Sequence, residues 1–189
     1  VLQPAESPVP VAGPGEILIR MRAAGVNRAD LVRAKTHFGS DSGGALAIAG
    51  MEVAGEVQEC GPGATRFKAG DAVIAMAPRS YAEFCTVHES IASPVPKGMD
   101  WPHALACCTS YITAHNALAT AGLKPGETVL IQGAGASAGI ALVELAAQLG
   151  ASVVAGTSSK SAKLDRLSER GLTLPLLRDA PDALEKAMT

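Results

Sequence analysis

Apolar and polar positions follow one rhythm up to about residue 95 and another beyond it. Glu16 to Ala23 (EILIRMRA) sets Ile17, Ile19 and Met21 on one face and Arg20 and Arg22 on the other, with Leu18 as the exception. That period of two is the pattern of a half-buried strand. Gly50 to Val57 (GMEVAGEV) reads as a second strand. Phe67 to Ala75 reads as a turn followed by a strand, and Tyr81 to Val87 alternates again. Between them, Asn27 is placed to cap a short helix, Gly61-Pro62-Gly63 marks a turn, and residues 36–47 read as a Gly- and Ser-rich mobile loop. Short strands broken by glycine turns predict a small, mostly β domain of barrel or sandwich type. After Pro94-Val95-Pro96-Lys97-Gly98 the period lengthens. Asp100 to Ala121 is alanine-rich and helical in pattern, with Asp100 as N-cap and Gly122 as stop.

The stretch from Thr128 to Lys163 then gives strand, turn, helix, strand: Val129 to Ile131, the turn Gly133 to Gly139, Ile140 to Leu149, and Val153 to Ala155. A βαβ unit of about 30 residues is the setting a dinucleotide-binding turn needs. Gly133 and Gly135 lack Cβ, so backbone can turn sharply and approach a pyrophosphate. Ala136, Ser137 and Ala138 keep the surface low, and Gly139 lets the helix sit close to the strand. The N–H groups that open the helix then face an anion. The spacing is Gly-x-Gly-x-x-x-Gly, and a tight turn in an unrelated α/β protein is the competing reading. Downstream lie a helix to about Arg170, a strand at Leu172 to Leu177 and a last helix at Pro181 to Met188. Two or three parallel strands are too few for a doubly wound sheet. The expectation is therefore a fragment, or a chain that borrows sheet from a partner.

The end of the second strand bears on which nucleotide is bound. An NAD site places an acid about 20 residues after the glycines, for the ribose hydroxyl. Here the segment is Gly156-Thr157-Ser158-Ser159-Lys160-Ser161-Ala162-Lys163, without an acid. Ser158, Ser159, Lys160 and Lys163 suit a 2′-phosphate, so NADP(H) is expected over NAD(H). A serine-rich helix cap with two solvated lysines is the alternative.

Composition narrows the classes. With 189 residues and 48% hydrophobic content there is material for one domain or two small ones. Aromatics are only 3%, so the core is aliphatic. A net charge of −2 with no basic block gives nucleic-acid binding no support. No apolar run approaches the ~18 residues of a membrane span, and the proline-rich N-terminus lacks the marks of a signal peptide. Cys60, Cys85, Cys107 and Cys108 form no CxxC pair, so reduced thiols in a cytoplasmic protein are expected and a metal site is not.

The ordered blocks AGVNRAD (24–30), GMEVAGEV (50–57), GDAVIA (70–75), YAEF (81–84), TAHNAL (113–118) and PGETVLIQGAGASAGIALVELAAQLGA (125–151) resemble the quinone oxidoreductase branch of the medium-chain dehydrogenase/reductase superfamily. The resemblance covers nearly the whole chain. It implies a GroES-like catalytic domain over residues 1–98 and a partial Rossmann NADP(H)-binding domain over 99–189, with the active site in the cleft between them. NADPH would pass hydride to a quinone or an α,β-unsaturated carbonyl, in a protein that is a homodimer when full length. Zinc-dependent relatives carry Cys where this chain has Val26-Asn27 and His where it has Met51, so this member is expected to be zinc-free. Asn27 matches an asparagine near the nicotinamide ribose and the carbonyl acceptor. Thr113 matches a threonine at the nicotinamide end. Gly135, Ala136, Ser137, Ala138 and Gly139 match the pyrophosphate loop, where the family usually reads Gly-Gly-Val at 136–138. Ser159 and Lys163 match the 2′-phosphate pair. Phe38 stands where the family often has a tyrosine. A phenyl ring cannot donate a proton, which favours quinone acceptors unless Tyr81 or water serves. Alternatives are an enoyl-thioester reductase of a polyketide or fatty-acid pathway, and a catalytically silent NADPH-binding protein. Relatives begin earlier and run on beyond residue 189.

Overall fold

A computed structural model describes residues 3–36, 48–179 and 185. Phe38 and the helix expected at 181–188 lie outside the described residues, except for Glu185, which is helical. The chain divides into two units, Val1–Cys108 and Thr109–Thr189.

The first unit is built on an antiparallel sheet. Its strands are β1 (Glu16–Ala24), β2 (Glu52–Cys60), β3 (Ala72–Met76), β4 (Phe84–His88) and β5 (Ala92–Pro94), in the order β4-β1-β2-β3-β5. The helix α1 (Arg28–Thr36) leaves β1, and α2 (Trp101–Ala106) packs on β1 and β2. The alternation read in the sequence sorts the side chains. Ile17 and Ile19 of β1 are fully buried with Val53, Val57 and Val73, while Arg20 is exposed and Arg22 reaches Glu56 at 3.3 Å. Gly55 sits where the register between β1 and β2 slips, and a Cβ there would stand 2.3 Å from the Arg20 carbonyl oxygen. A glycine is required for that close approach.

Several boundaries differ from the sequence reading, two of them with a visible cause. The alternating stretch from Tyr81 becomes strand only at Phe84, because Tyr81 turns away to bond α1. The helix expected over 100–121 is two helices, α2 and α3 (Cys108–Ala121), divided at Cys107. Asp100 caps α2 as expected, its Oδ1 accepting the His103 N–H at 2.9 Å.

The second unit carries β6 (Thr128–Ile131), α4 (Ser137–Gln148), β7 (Val153–Ser158), α5 (Ser161–Ser168) and β8 (Leu174–Leu177). Among the described residues its sheet has three parallel strands in the order β6-β7-β8. Parallel neighbours need crossover helices, and α4 and α5 supply them. Ile131, Val143, Ala146, Val154, Leu164 and Leu167 form one core with Leu118 of α3. A polar staple joins the helices: Glu144 of α4 accepts from Tyr111 of α3 and from Arg170 beyond α5. Partial burial works to raise the Glu144 carboxyl, but the bonds from Tyr111 and Arg170 outweigh it and hold it below the ordinary carboxylate range.

Candidate functional site

In the second unit the glycine turn is stitched to the end of β7. Gly133 has φ +71°, a left-handed conformation that favours glycine. Its N–H donates to Thr157 Oγ1 at 3.1 Å, and the Ala134 N–H donates to the Thr157 carbonyl at 2.8 Å. The chain then enters α4 through Ala136, which is extended and offers no side-chain cap. The first-turn N–H groups, at Ser137, Ala138 and Gly139, therefore open a 12-residue helix with no side-chain acceptor of their own at its cap. That is the positive end of a helix dipole presented by small residues.

The other two glycines have different jobs. A Cβ on Gly139 would stand 2.4 Å from the Gly133 carbonyl oxygen, so Gly139 seats the helix on the turn. A Cβ on Gly135 would stand 2.7 Å from Lys163 Cδ and 3.1 Å from Ser158 Oγ. Gly135 thus gives room to side chains from the end of β7 and from α5. Lys163 of α5 uses that room, its Nζ donating to the Gly135 carbonyl at 2.7 Å. Ser158 is buried and its Oγ accepts the Lys160 N–H at 3.2 Å. Ser159, Lys160 and Lys163 are exposed. Lys160 is the cap position of α5 and makes no side-chain cap bond, so neither Ser158 nor Ser159 acts as the helix cap.

In the first unit Asn27 lies at the centre of a second arrangement. Its position before α1 suits an N-cap, yet its side chain goes elsewhere: Nδ2 donates to Glu52 Oε1 at 2.8 Å. Asp30 closes the first turn in its place. The Asn27 N–H donates to Asp30 Oδ2 at 2.8 Å, and the Asp30 N–H to the Asn27 carbonyl at 3.0 Å. The Tyr81 hydroxyl stands 3.0 Å from the same Oδ2 and 3.1 Å from the Gly25 carbonyl. Both carboxylates are buried, Asp30 at 5% exposure and Glu52 at 7%. Burial, the bond to Asp30 and the charges of Asp30 and Glu52 push the Tyr81 phenol up to about 12. Its single proton is committed to acceptors of the protein itself, which makes it a poor donor to a ligand. Glu52 rests on the bare Cα of Gly25, where a Cβ would stand 2.0 Å from Oε1. Among the described residues no three His, Cys, Asp or Glu side chains are grouped to hold a metal ion. Thr113 is exposed on α3, in the other unit.

Three participants escape the sequence reading. Thr157 is only one of several hydroxyls at the end of a strand, and nothing in its spacing singles it out. Glu52 and Asp30 left a clearer signal. An acid within the apolar run of β2, and one three residues into a helix, each need a partner if buried.

An alcohol dehydrogenase GroES-like domain family model matches residues 13–124. The spectinabilin polyketide synthase system protein NorB of Streptomyces orinoci is 34% identical over 173 residues, 91% of this chain and 8% of that protein. A mycobacterial structure complexed with NADPH is 31% identical at a TM-score of 0.79, covering 92% of this chain and 53% of that one. A mycobacterial quinone oxidoreductase structure is 30% identical at a TM-score of 0.82, covering 96% and 55%. The chain thus spans little more than half the length of these solved structures. Two folds in series, an antiparallel GroES-like sheet followed by a parallel Rossmann-like sheet, agree with that match, and the chain belongs to the alcohol dehydrogenase GroES-like family of the medium-chain dehydrogenase/reductase superfamily.

Proposed function

We propose that the protein is a zinc-independent NADPH-dependent oxidoreductase that passes hydride to a quinone or an α,β-unsaturated carbonyl. The observation that carries the reading is the Lys163 ammonium held 2.7 Å from the Gly135 carbonyl, on a glycine turn whose strand ends in Ser158-Ser159 with no acid. The donor set fits a phosphorylated dinucleotide. Uncapped N–H groups of α4 receive the pyrophosphate, and Ser159 and Lys163 receive the 2′-phosphate, which an NAD-type carboxylate would repel. NADPH is the ligand named for one of the solved relatives. Bound there, the cofactor supplies the hydride. Asn27 and Thr113 touch its nicotinamide end in this reading. The remaining requirement is alignment in a water-poor setting.

The state of Tyr81 favours quinones among the acceptors. Its proton is held by Asp30 and Gly25 and its phenol is weakly acidic. A reduced quinone oxygen can take its proton from water, whereas a reduced carbon–carbon double bond depends on a placed acid. An enoyl-thioester reductase is the second reading, and the likeness to a polyketide synthase favours it. Homodimerisation and a cytoplasmic location belong to the reading through the family resemblance. No described helix is long and apolar enough to cross a membrane.

The test is a fluorescence titration of the protein and of Lys163→Ala with NADPH and, separately, NADH. The wild type is expected to prefer NADPH. A charge-assisted contact at an exposed site is worth about 1–2 kcal/mol, so the variant should lose about 5- to 30-fold in NADPH affinity and little in NADH affinity. Equal weakening of both would remove Lys163 from the 2′-phosphate site. Turnover with a panel of quinones and enoyl thioesters then separates the two acceptors.

A further inference from the structure

We infer that Glu52 and Asp30 are positioning residues for Asn27, and that Glu52 turns the Asn27 amide so that it meets its ligand as an acceptor, through Oδ1. The inference rests on the oxidoreductase reading above. The two edges of an asparagine amide are chemically opposite, since the NH2 donates and the oxygen only accepts. An ionised carboxylate also only accepts. The 2.8 Å contact of Asn27 with Glu52 Oε1 therefore requires the NH2 edge there. Reversed, the amide would set oxygen against oxygen beside a carboxylate that is 7% exposed, where water can do little to relieve it.

Both partners are themselves held. Glu52 leans on the Cα of Gly25, in space that any side chain at 25 would take. The backbone of Asn27 is fixed by the two-way bonding with Asp30, and Tyr81 bonds the same Asp30 oxygen. Oδ1 of Asn27 takes no bond from the described residues. A ligand group that lands on it must bring a hydrogen, as an O–H or N–H does and a bare carbonyl does not. Through Oδ1, then, Asn27 can take only a donor on the ligand.

A donor–acceptor swap tests this. NADPH oxidation by 1,4-benzoquinone and NADPH affinity are measured for the wild type, E52Q, N27D and the double variant N27D/E52Q. In E52Q the glutamine can present either edge, so kcat should fall about tenfold and the NADPH Kd should rise with it, because benzoquinone carries no donor for Oδ1. N27D sets two carboxylates against each other and should be slower still. In the double variant the new amide at position 52 donates to the new carboxylate at position 27, and an oxygen again faces outward. Turnover should then recover about tenfold or more over N27D. A double variant no faster than N27D overturns the inference, since Oδ1 would then not be the working atom. Orientation is also read without turnover. One Nδ2 proton of Asn27 should exchange slowly by NMR in the wild type and faster in E52Q, and equal exchange in both overturns it. If the wild type fails to oxidise NADPH with benzoquinone, the quinone reading fails and the exchange measurement alone decides the orientation.

Discussion

Gly139 and Gly135 occupy the same turn, and the structure predicts opposite outcomes when each is replaced by alanine. At Gly139 the new Cβ would meet only backbone: the Gly133 carbonyl oxygen at 2.4 Å, and Cα and C of Ala134 at 2.7 and 2.8 Å. Restoring ordinary contact near 3.5 Å needs a displacement of about 1 Å. The turn cannot give way freely, because Gly133 and Ala134 are both tied to Thr157 and Ala134 is fully buried. Overpacking of this kind costs about 1–3 kcal/mol. Alanine returns up to about 1 kcal/mol through its better helix propensity. The net loss reaches about 2 kcal/mol, which lowers Tm by about 4–8 °C for a chain of this length. At Gly135 the nearest atom is Cδ of Lys163, partway along a flexible, exposed side chain. Gly135→Ala should therefore keep Tm within about 2 °C, as a surface change does, and lose NADPH affinity as Lys163 is pushed off the turn. Thermal unfolding followed by circular dichroism, with NADPH titration of each variant, makes the comparison. A Gly139→Ala protein with unchanged Tm and affinity would refute the claim that this glycine seats α4 on the turn.

Two further outcomes follow from the ionisable groups. The Glu144 carboxyl is depressed in the folded state, so it contributes stability above the ordinary carboxylate range that is lost as pH falls below it; Glu144→Gln should flatten that part of the acid unfolding curve, and an unchanged curve would contradict the staple with Tyr111 and Arg170. Tyr81 is shifted the other way, from 10.0 to about 12, so its contribution is full below pH 10 and lost between those values. Tyr81→Phe should remove the corresponding fall in stability in an alkaline unfolding series, and the same fall in the variant would place the titrating group elsewhere.

The two units differ in how much of them the residues disclose. The βαβ unit is legible because its signals are local. The period change, the glycine spacing and the stop at Gly150 fall within one stretch, and the strands and helix appear where they point. The acid-free end of β7 is equally local, and it brings Lys163 into view as a candidate before any fold is known. What is not legible is which hydroxyl does which work. Ser158, Ser159 and Thr157 are chemically alike in sequence, and only the folded chain sets Thr157 against Gly133 and buries Ser158.

The cluster at Asn27 fails to show in sequence for a different physical reason. Its members lie at 25, 27, 30, 52 and 81, and the contacts that define it span up to 56 residues. Local rules assign Asn27 to helix capping, and that rule loses here to a stronger demand. A carboxylate buried at Glu52 draws donors, and a bond to a buried charge is worth more than the roughly 1 kcal/mol of a side-chain cap. Asp30 can satisfy the backbone at the start of α1, so the Asn27 side chain is released for Glu52. The general consequence is that the acid within the apolar run GMEVAGEV is the informative residue. A buried charge in a strand predicts a donor brought from far along the chain, and here that donor is the residue the family resemblance places at the nicotinamide.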